Sequence, residues 1–259
     1  MPRLSPRARS LLRLLHIWWP LALGWSVAVV VRRATGRPWD PAGVALLLVG
    51  IGAAYSLDRV LDAPAQQPRW MTRLLMVAAG VAALAGTLLL PQLPAQSALL
   101  VPLAGALALV YPRLKSVPLG KTLLVPLVWT WCGIVLPAGD GSWLGWHWVL
   151  EPVAAPLFLL MTAGCVLCDL KDATRDRAAG VPSVPVLVGP GTAAHLAVAI
   201  AVMSGALALA EGRPALAWSA AILCALALRP ALVAVDDVGP LLVDVVLTLP
   251  GVLIVTRLV

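Results

Sequence analysis

Apolar residues run along this chain in long blocks, interrupted at intervals by short clusters of proline, glycine and charge. A helix rising 1.5 Å per residue needs about 20 apolar residues to cross a hydrocarbon core of roughly 30 Å, and blocks of that order recur from one end of the sequence to the other. The pattern predicts nine helices, over residues 11–31, 42–61, 70–90, 95–111, 119–137, 148–168, 190–210, 214–233 and 238–256. Strict apolar/polar alternation is absent, which excludes the signature of a membrane β-barrel. Most connections are short and none reads as a linker. The expectation is therefore an all-α polytopic membrane protein, with nine transmembrane helices in one bundle and a single domain over residues 1–259.

Composition agrees with a lipid solvent. Of the 259 residues 61% are hydrophobic and 12% charged, against about 25% charged in soluble domains. The net charge of +7 does not point to nucleic acid, because the basic residues are scattered through short loops instead of forming a stripe. They set orientation instead. With the N-terminus inside, fourteen of the 19 Lys and Arg residues fall on the cytoplasmic side, and Arg32, Arg33, Arg37, Arg213 and Arg257 fall on the other. That places the N-terminus and the polar loops after the second, fourth and sixth helices in the cytoplasm, with the C-terminus opposite. The first apolar run exceeds a signal-peptide h-region, contains Trp18, Trp19 and Pro20, and ends in Arg32-Arg33, so it reads as a retained helix. Cys132, Cys165, Cys168 and Cys224 all sit in apolar segments, which argues against a disulfide framework and for packing.

Five of the 12 acidic residues form two clusters. Asp58 and Asp62 stand at the end of the second predicted helix, and Asp169, Asp172 and Asp176 at the end of the sixth. Both helices are even-numbered, so their C-terminal ends open on one face of the membrane, and the four-helix interval between them predicts two pseudo-repeated four-helix halves plus one helix. Carboxylates at i and i+4 share a helix face and repel, and a helix C-terminus disfavours negative charge further. A bound cation relieves both, and an all-oxygen ligand set suits Mg²⁺. The bland reading is that Arg59, Lys171, Arg175 and Arg177 pair with these loop carboxylates. Between the clusters lies the basic loop Tyr111-Pro112-Arg113-Leu114-Lys115-Ser116-Val117-Pro118-Leu119-Gly120-Lys121, which could close on a phosphorylated ligand, or be basic only because it is cytoplasmic.

The stretch from Cys168 to Gly189, with Asp169, Asp172, Asp176 and the Pro185-Val186-Leu187-Val188-Gly189 run, resembles the second aspartate motif of the UbiA superfamily of intramembrane prenyltransferases. Asp58-Arg59-Val60-Leu61-Asp62 resembles the latter half of that family's first motif, and the Tyr-Pro-x-Leu-Lys loop also fits. The resemblance implies a Mg²⁺-dependent transfer of a prenyl group from a polyprenyl diphosphate to a small aromatic or other lipophilic acceptor. Asp58 and Asp62 would hold one metal ion, Asp169 and Asp172 the other, with Asp176 nearby as a ligand or as the partner of a basic residue. Arg59, Lys115, Lys121 and Lys171 would neutralise diphosphate oxygens beside Tyr111. The family's first motif opens with Asn, often followed by Asp, where this chain has Ala54 and Tyr55. The first metal site should be weaker or differently completed, and Tyr55 would donate to phosphate or face the cation. The competing expectation is a transport-type or non-catalytic membrane protein that binds an anionic amphiphile in the same cavity.

Two further features stand out. Trp129 and Trp131 lie inside the fifth helix, as packing residues or as aromatic faces for a carbocation. Asp244 lies in the apolar run of the ninth, where an ionisable residue is a functional candidate, with helix pairing or snorkelling as the alternative.

Overall fold

A computed structural model describes residues 6–62, 69–114, 116–138, 146–235 and 238–258. All regular structure among them is helical. Each predicted apolar block carries a helix: α1 (Pro6–Thr35), α2 (Pro41–Asp62), α3 (Arg69–Leu89), α4 (Ala95–Leu114), α5 (Gly120–Ala138), α6 (Ala154–Ala178), the short α7 (Val184–Val188), α8 (Pro190–Ala210), α9 (Pro214–Ala227), the single turn α10 (Pro230–Val233) and α11 (Val238–Val255). Six stretches among the described residues are long and apolar enough to cross a membrane: Pro41–Leu61, Arg69–Gln92, Gly120–Pro137, Ala154–Ala178, Pro190–Ala210 and Val238–Val255. Met76, Val77, Val81, Leu84 and Leu88 of α3 are all exposed, as residues bathed in lipid would be.

Two helices depart from the apolar pattern. The block over 214–233 divides into α9 and α10, because Pro230 has no N–H to continue the ladder and its ring crowds the turn before it. The sixth block was delimited by hydropathy at residue 168, but α6 runs on to Ala178. Its last turns keep an apolar side, with Leu170 and Ala173 buried, and they carry Asp169, Asp172 and Asp176. A Schellman cap then stops α6. Gly180 takes φ +70°, the Val181 N–H donates to the Asp176 carbonyl at 2.8 Å and the Gly180 N–H to the Arg177 carbonyl at 3.3 Å.

Lipid is as apolar as leucine, so such helices associate through close packing and hydrogen bonds more than through hydrophobic burial. Both are visible here. At the crossing of α1 and α11 the Gly251 N–H donates to Ser26 Oγ at 2.9 Å, and a Cβ on Gly251 would meet the Ser26 Cα at 2.5 Å. The proline inside α11, Pro250, leaves the Val246 carbonyl without its N–H four residues on; the Ser219 hydroxyl of α9 donates to that oxygen, as a buried carbonyl requires. Around this core α6 packs on α5, α8, α9 and α11, while α2 packs on α1, α3 and α5. Among the described residues α2 has no extensive packing on α6 or α11. α5 packs on both α2 and α6.

Candidate active site

Asp169, Asp172 and Asp176 follow the i, i+3, i+7 spacing that aligns side chains along one helix face. α5 supplies their counter-charge. A tight turn after α4, in which the Val117 N–H donates to the Leu114 carbonyl (3.1 Å) and the Gly120 N–H to the Val117 carbonyl (2.9 Å), brings the chain back at once into α5. Leu119 takes φ +61° there, and a side chain on Gly120 would collide with the Leu114 carbonyl. The turn delivers Lys121 and Thr122 to the α6 carboxylates. Lys121 Nζ lies 2.9 Å from Asp169 Oδ1, 3.1 Å from Asp176 Oδ2 and 3.9 Å from Asp172 Oδ2. Thr122 Oγ1 donates to the other oxygen of Asp169 at 3.3 Å. Lys171 Nζ grips both oxygens of Asp172, at 3.0 and 3.1 Å. Asp169 and Asp176 are buried, at 4% and 7% exposure, so the Lys121 ion pairs are shielded from solvent and stronger than surface pairs.

Asp58 lies in the last turns of α2, partly buried. The Asp40 N–H donates to the Pro137 carbonyl at 3.3 Å, which sets the start of α2 beside the end of α5, and Lys121 ties the start of α5 to the end of α6. The ends of α2 and α6 therefore open at the same end of the bundle. The backbone of Asp62 stands one turn beyond Asp58 at the end of α2, with its side chain outside the described residues, as is Lys115 altogether. Arg59 is partly buried. Where the resembling motif would have Asn and Asp, Ala54 is exposed and Tyr55 packs its ring edge on Trp129, centroids 6.4 Å apart at 71°.

The donor chemistry suits a hard divalent ion. Three α6 carboxylates already converge on one cation, and carboxylate oxygens are what Mg²⁺ takes. In the structure that cation is Lys121, and among the described residues no group of three His, Cys, Asp or Glu side chains stands ready to hold a metal. A metal at the second cluster would enter by displacing the lysine ammonium.

The sequence picked out Lys121 as a ligand for diphosphate without showing its present partners, and it passed over Thr122. A threonine in the first turn of an apolar helix carries no signal until the fold sets it 47 residues away beside Asp169.

The UbiA prenyltransferase family model matches residues 58–240. No curated protein sequence matches the chain. Among solved structures, the apo form of a UbiA homolog from Aeropyrum pernix K1 superposes with a TM-score of 0.65 at 22% identity, covering 94% of this chain and 98% of that one. A UbiA homolog from Archaeoglobus fulgidus bound to DMAPP and Mg²⁺ gives 0.58 at 13% identity, with 93% and 98% covered; the same homolog bound to Cd²⁺ gives 0.59 at 14%, with 94% and 99% covered. These likenesses carry the fold, and the family match carries membership: spanning most of the sequence, from Asp58 to the start of α11, it makes this chain a member of the UbiA prenyltransferase family.

Proposed function

We propose that the protein catalyses Mg²⁺-dependent transfer of a prenyl group from a polyprenyl diphosphate to a small lipophilic or aromatic acceptor within the membrane. The observation that carries this reading is that the aspartate-bearing ends of α2 and α6 lie at the same end of the bundle, with Lys121 embedded in the second cluster. Asp58 and Asp62 hold one ion, Asp169 and Asp172 the second, and Asp176 anchors Lys121. Bound Mg²⁺ supplies the positive charge that accepts a departing diphosphate. Arg59, Lys115, Lys121 and Lys171 neutralise its remaining oxygens, and preorganised cations at that point are worth most because no solvent has to reorganise around the leaving group. Tyr111 and Tyr55 border the bound donor, whose allylic carbon is kept from water by the apolar bundle. The reading takes the chain as one domain crossing the membrane nine times, built of two related four-helix halves and a final helix, with the site on the cytoplasmic side.

Purified protein incubated with Mg²⁺ and radiolabelled prenyl diphosphates should release diphosphate, and Asp58→Ala and Asp172→Ala should each lower that release by roughly 100-fold. Tight donor binding with no release by the parent for any chain length would instead identify a binding or transport protein for anionic amphiphiles.

A further inference from the structure

Every oxygen that Asp169 and Asp172 could offer a metal ion already has a partner on this chain. Asp169 is held on Oδ1 by the Lys121 ammonium at 2.9 Å and on Oδ2 by the Thr122 hydroxyl at 3.3 Å. Asp172 has both of its oxygens on Lys171 Nζ, at 3.0 and 3.1 Å. Asp176, a turn nearer the end of α6 than Asp172, gives the Lys121 ammonium a second seat at 3.1 Å. Two ammoniums set among three carboxylates leave the cluster close to neutral. Asp169 and Asp176 are buried, so a lysine or a carboxylate that lost its partner here would be left as an uncompensated charge in a place that water reaches poorly.

On the transferase reading, on which this inference rests, Asp169 and Asp172 hold a metal ion while Lys121 and Lys171 neutralise diphosphate. The two side chains that cover the metal ligands are thus the two that receive the leaving group. A divalent ion arriving alone would push both ammoniums off their carboxylates and leave cation facing cation. A diphosphate arriving alone would meet lysines still bound to Asp169 and Asp172, and the carboxylates would repel it. When the two arrive together the partners exchange: the lysines pass to phosphate oxygens, the carboxylates are freed for the ion, and every charge keeps a counter-charge. Lys121 can make that shift without leaving the site, because it can release Asp169 and keep Asp176. We propose that Lys121 and Lys171 are a paired latch on the α6 metal site, closed while the protein is empty and opened by diphosphate. Coupling between two ligands is reciprocal, so the lysines that make the metal wait for the diphosphate also make the diphosphate wait for the metal.

The test is equilibrium dialysis of Mn²⁺ against the full chain in detergent, with and without saturating inorganic diphosphate, the free-ion concentration being read on the protein-free side. In the parent, diphosphate should tighten Mn²⁺ binding by about 30-fold or more, within the usual span of ligand coupling. Lys121→Gln and Lys171→Gln should each bind Mn²⁺ roughly tenfold more tightly than the parent when diphosphate is absent, about 1.4 kcal/mol, and no more tightly when it is present. The coupling factor should therefore shrink by about tenfold in either variant. The two substitutions are independent, so if one fails to fold the other decides. A metal merely chelated by the phosphate would give the same factor in all three proteins, and that result overturns the latch, as does a parent whose Mn²⁺ affinity ignores diphosphate. Diphosphate release from labelled donors without this coupling would sink the latch and leave the transferase reading standing; coupling without release would do the reverse.

Discussion

The two aspartate-bearing helix ends differ in how they are held. The end of α6 is enclosed by α5, α8, α9 and α11, its carboxylates are tied to Lys121, Thr122 and Lys171, and a Schellman cap fixes where it stops. The end of α2 leans on α1, α3 and α5 and carries a shorter acidic motif, Ala54 and Tyr55 standing where the family's pattern has Asn and Asp. One cluster is thus built into the fold, with a lysine completing it. The other stands at a less enclosed helix end. Burial marks the difference: charges as enclosed as Asp169 and Asp176 depend on a fixed partner, whereas Asp58 is only partly buried.

Removing a carboxylate should therefore damage stability at the α6 end and much less at the α2 end. Asp169→Ala strips Lys121 of its closest partner and Thr122 of its acceptor; breaking a buried pair by deleting one member costs about 3–5 kcal/mol, and the retained Asp176 contact puts the expected loss near the lower figure. Thermal unfolding in detergent should show a clear fall in Tm for Asp169→Ala and little change for Asp58→Ala. Equal falls would break the comparison.

A sharper probe asks what Lys121 does before any ligand arrives. Its ammonium lies 2.9–3.9 Å from three carboxylates, so a divalent ion must displace it to use those oxygens. Lys121→Gln should therefore raise the affinity for Mn²⁺, read from the spectrum of the free ion, by roughly tenfold, about 1.4 kcal/mol. Asp58→Ala in the Gln background should leave that gain in place, because it belongs to α6. A Gln variant with unchanged or weaker Mn²⁺ binding would mean that the lysine and the metal do not compete.

Much of this was legible in the residues. The helical class and the position of every long helix follow from runs of leucine, alanine and valine, because lipid permits no other open-ended backbone arrangement. That the two aspartate-bearing helices end at the same end of the bundle was legible from their even-numbered places in the chain. What could not be read was local. The apolar run before Cys168 marks where hydropathy falls, but helix formation depends on backbone hydrogen bonds and lasts to the glycine cap at 180. The break in the eighth segment needed Pro230 to be weighed above the apolar residues around it. Ion pairing was hidden for a deeper reason: sequence shows that Lys121 is basic, but not whether it faces a substrate or three aspartates at 48, 51 and 55 residues' remove, because that choice is made by the angle at which α5 crosses α6.

The smallest expected effect bears on Thr122, the residue that sequence gave no cause to notice. Its hydroxyl donates to the Asp169 oxygen that Lys121 does not take, so the two consecutive α5 residues hold one carboxylate from both sides and fix its plane. Thr122→Val keeps the shape and removes only the donor. A hydrogen bond to a charged group contributes about 1.5–3 kcal/mol at good geometry, and at 3.3 Å the loss should be nearer 1 kcal/mol, a small fall in Tm. Rotation of Asp169 about its remaining contact should matter more for ion binding than for folding. Mn²⁺ affinity should therefore drop several-fold in Thr122→Val and return in Thr122→Ser, which restores the hydroxyl. If valine leaves Mn²⁺ affinity unchanged, the hydroxyl serves the fold alone, and the rigidity of the α6 cluster rests on its lysine.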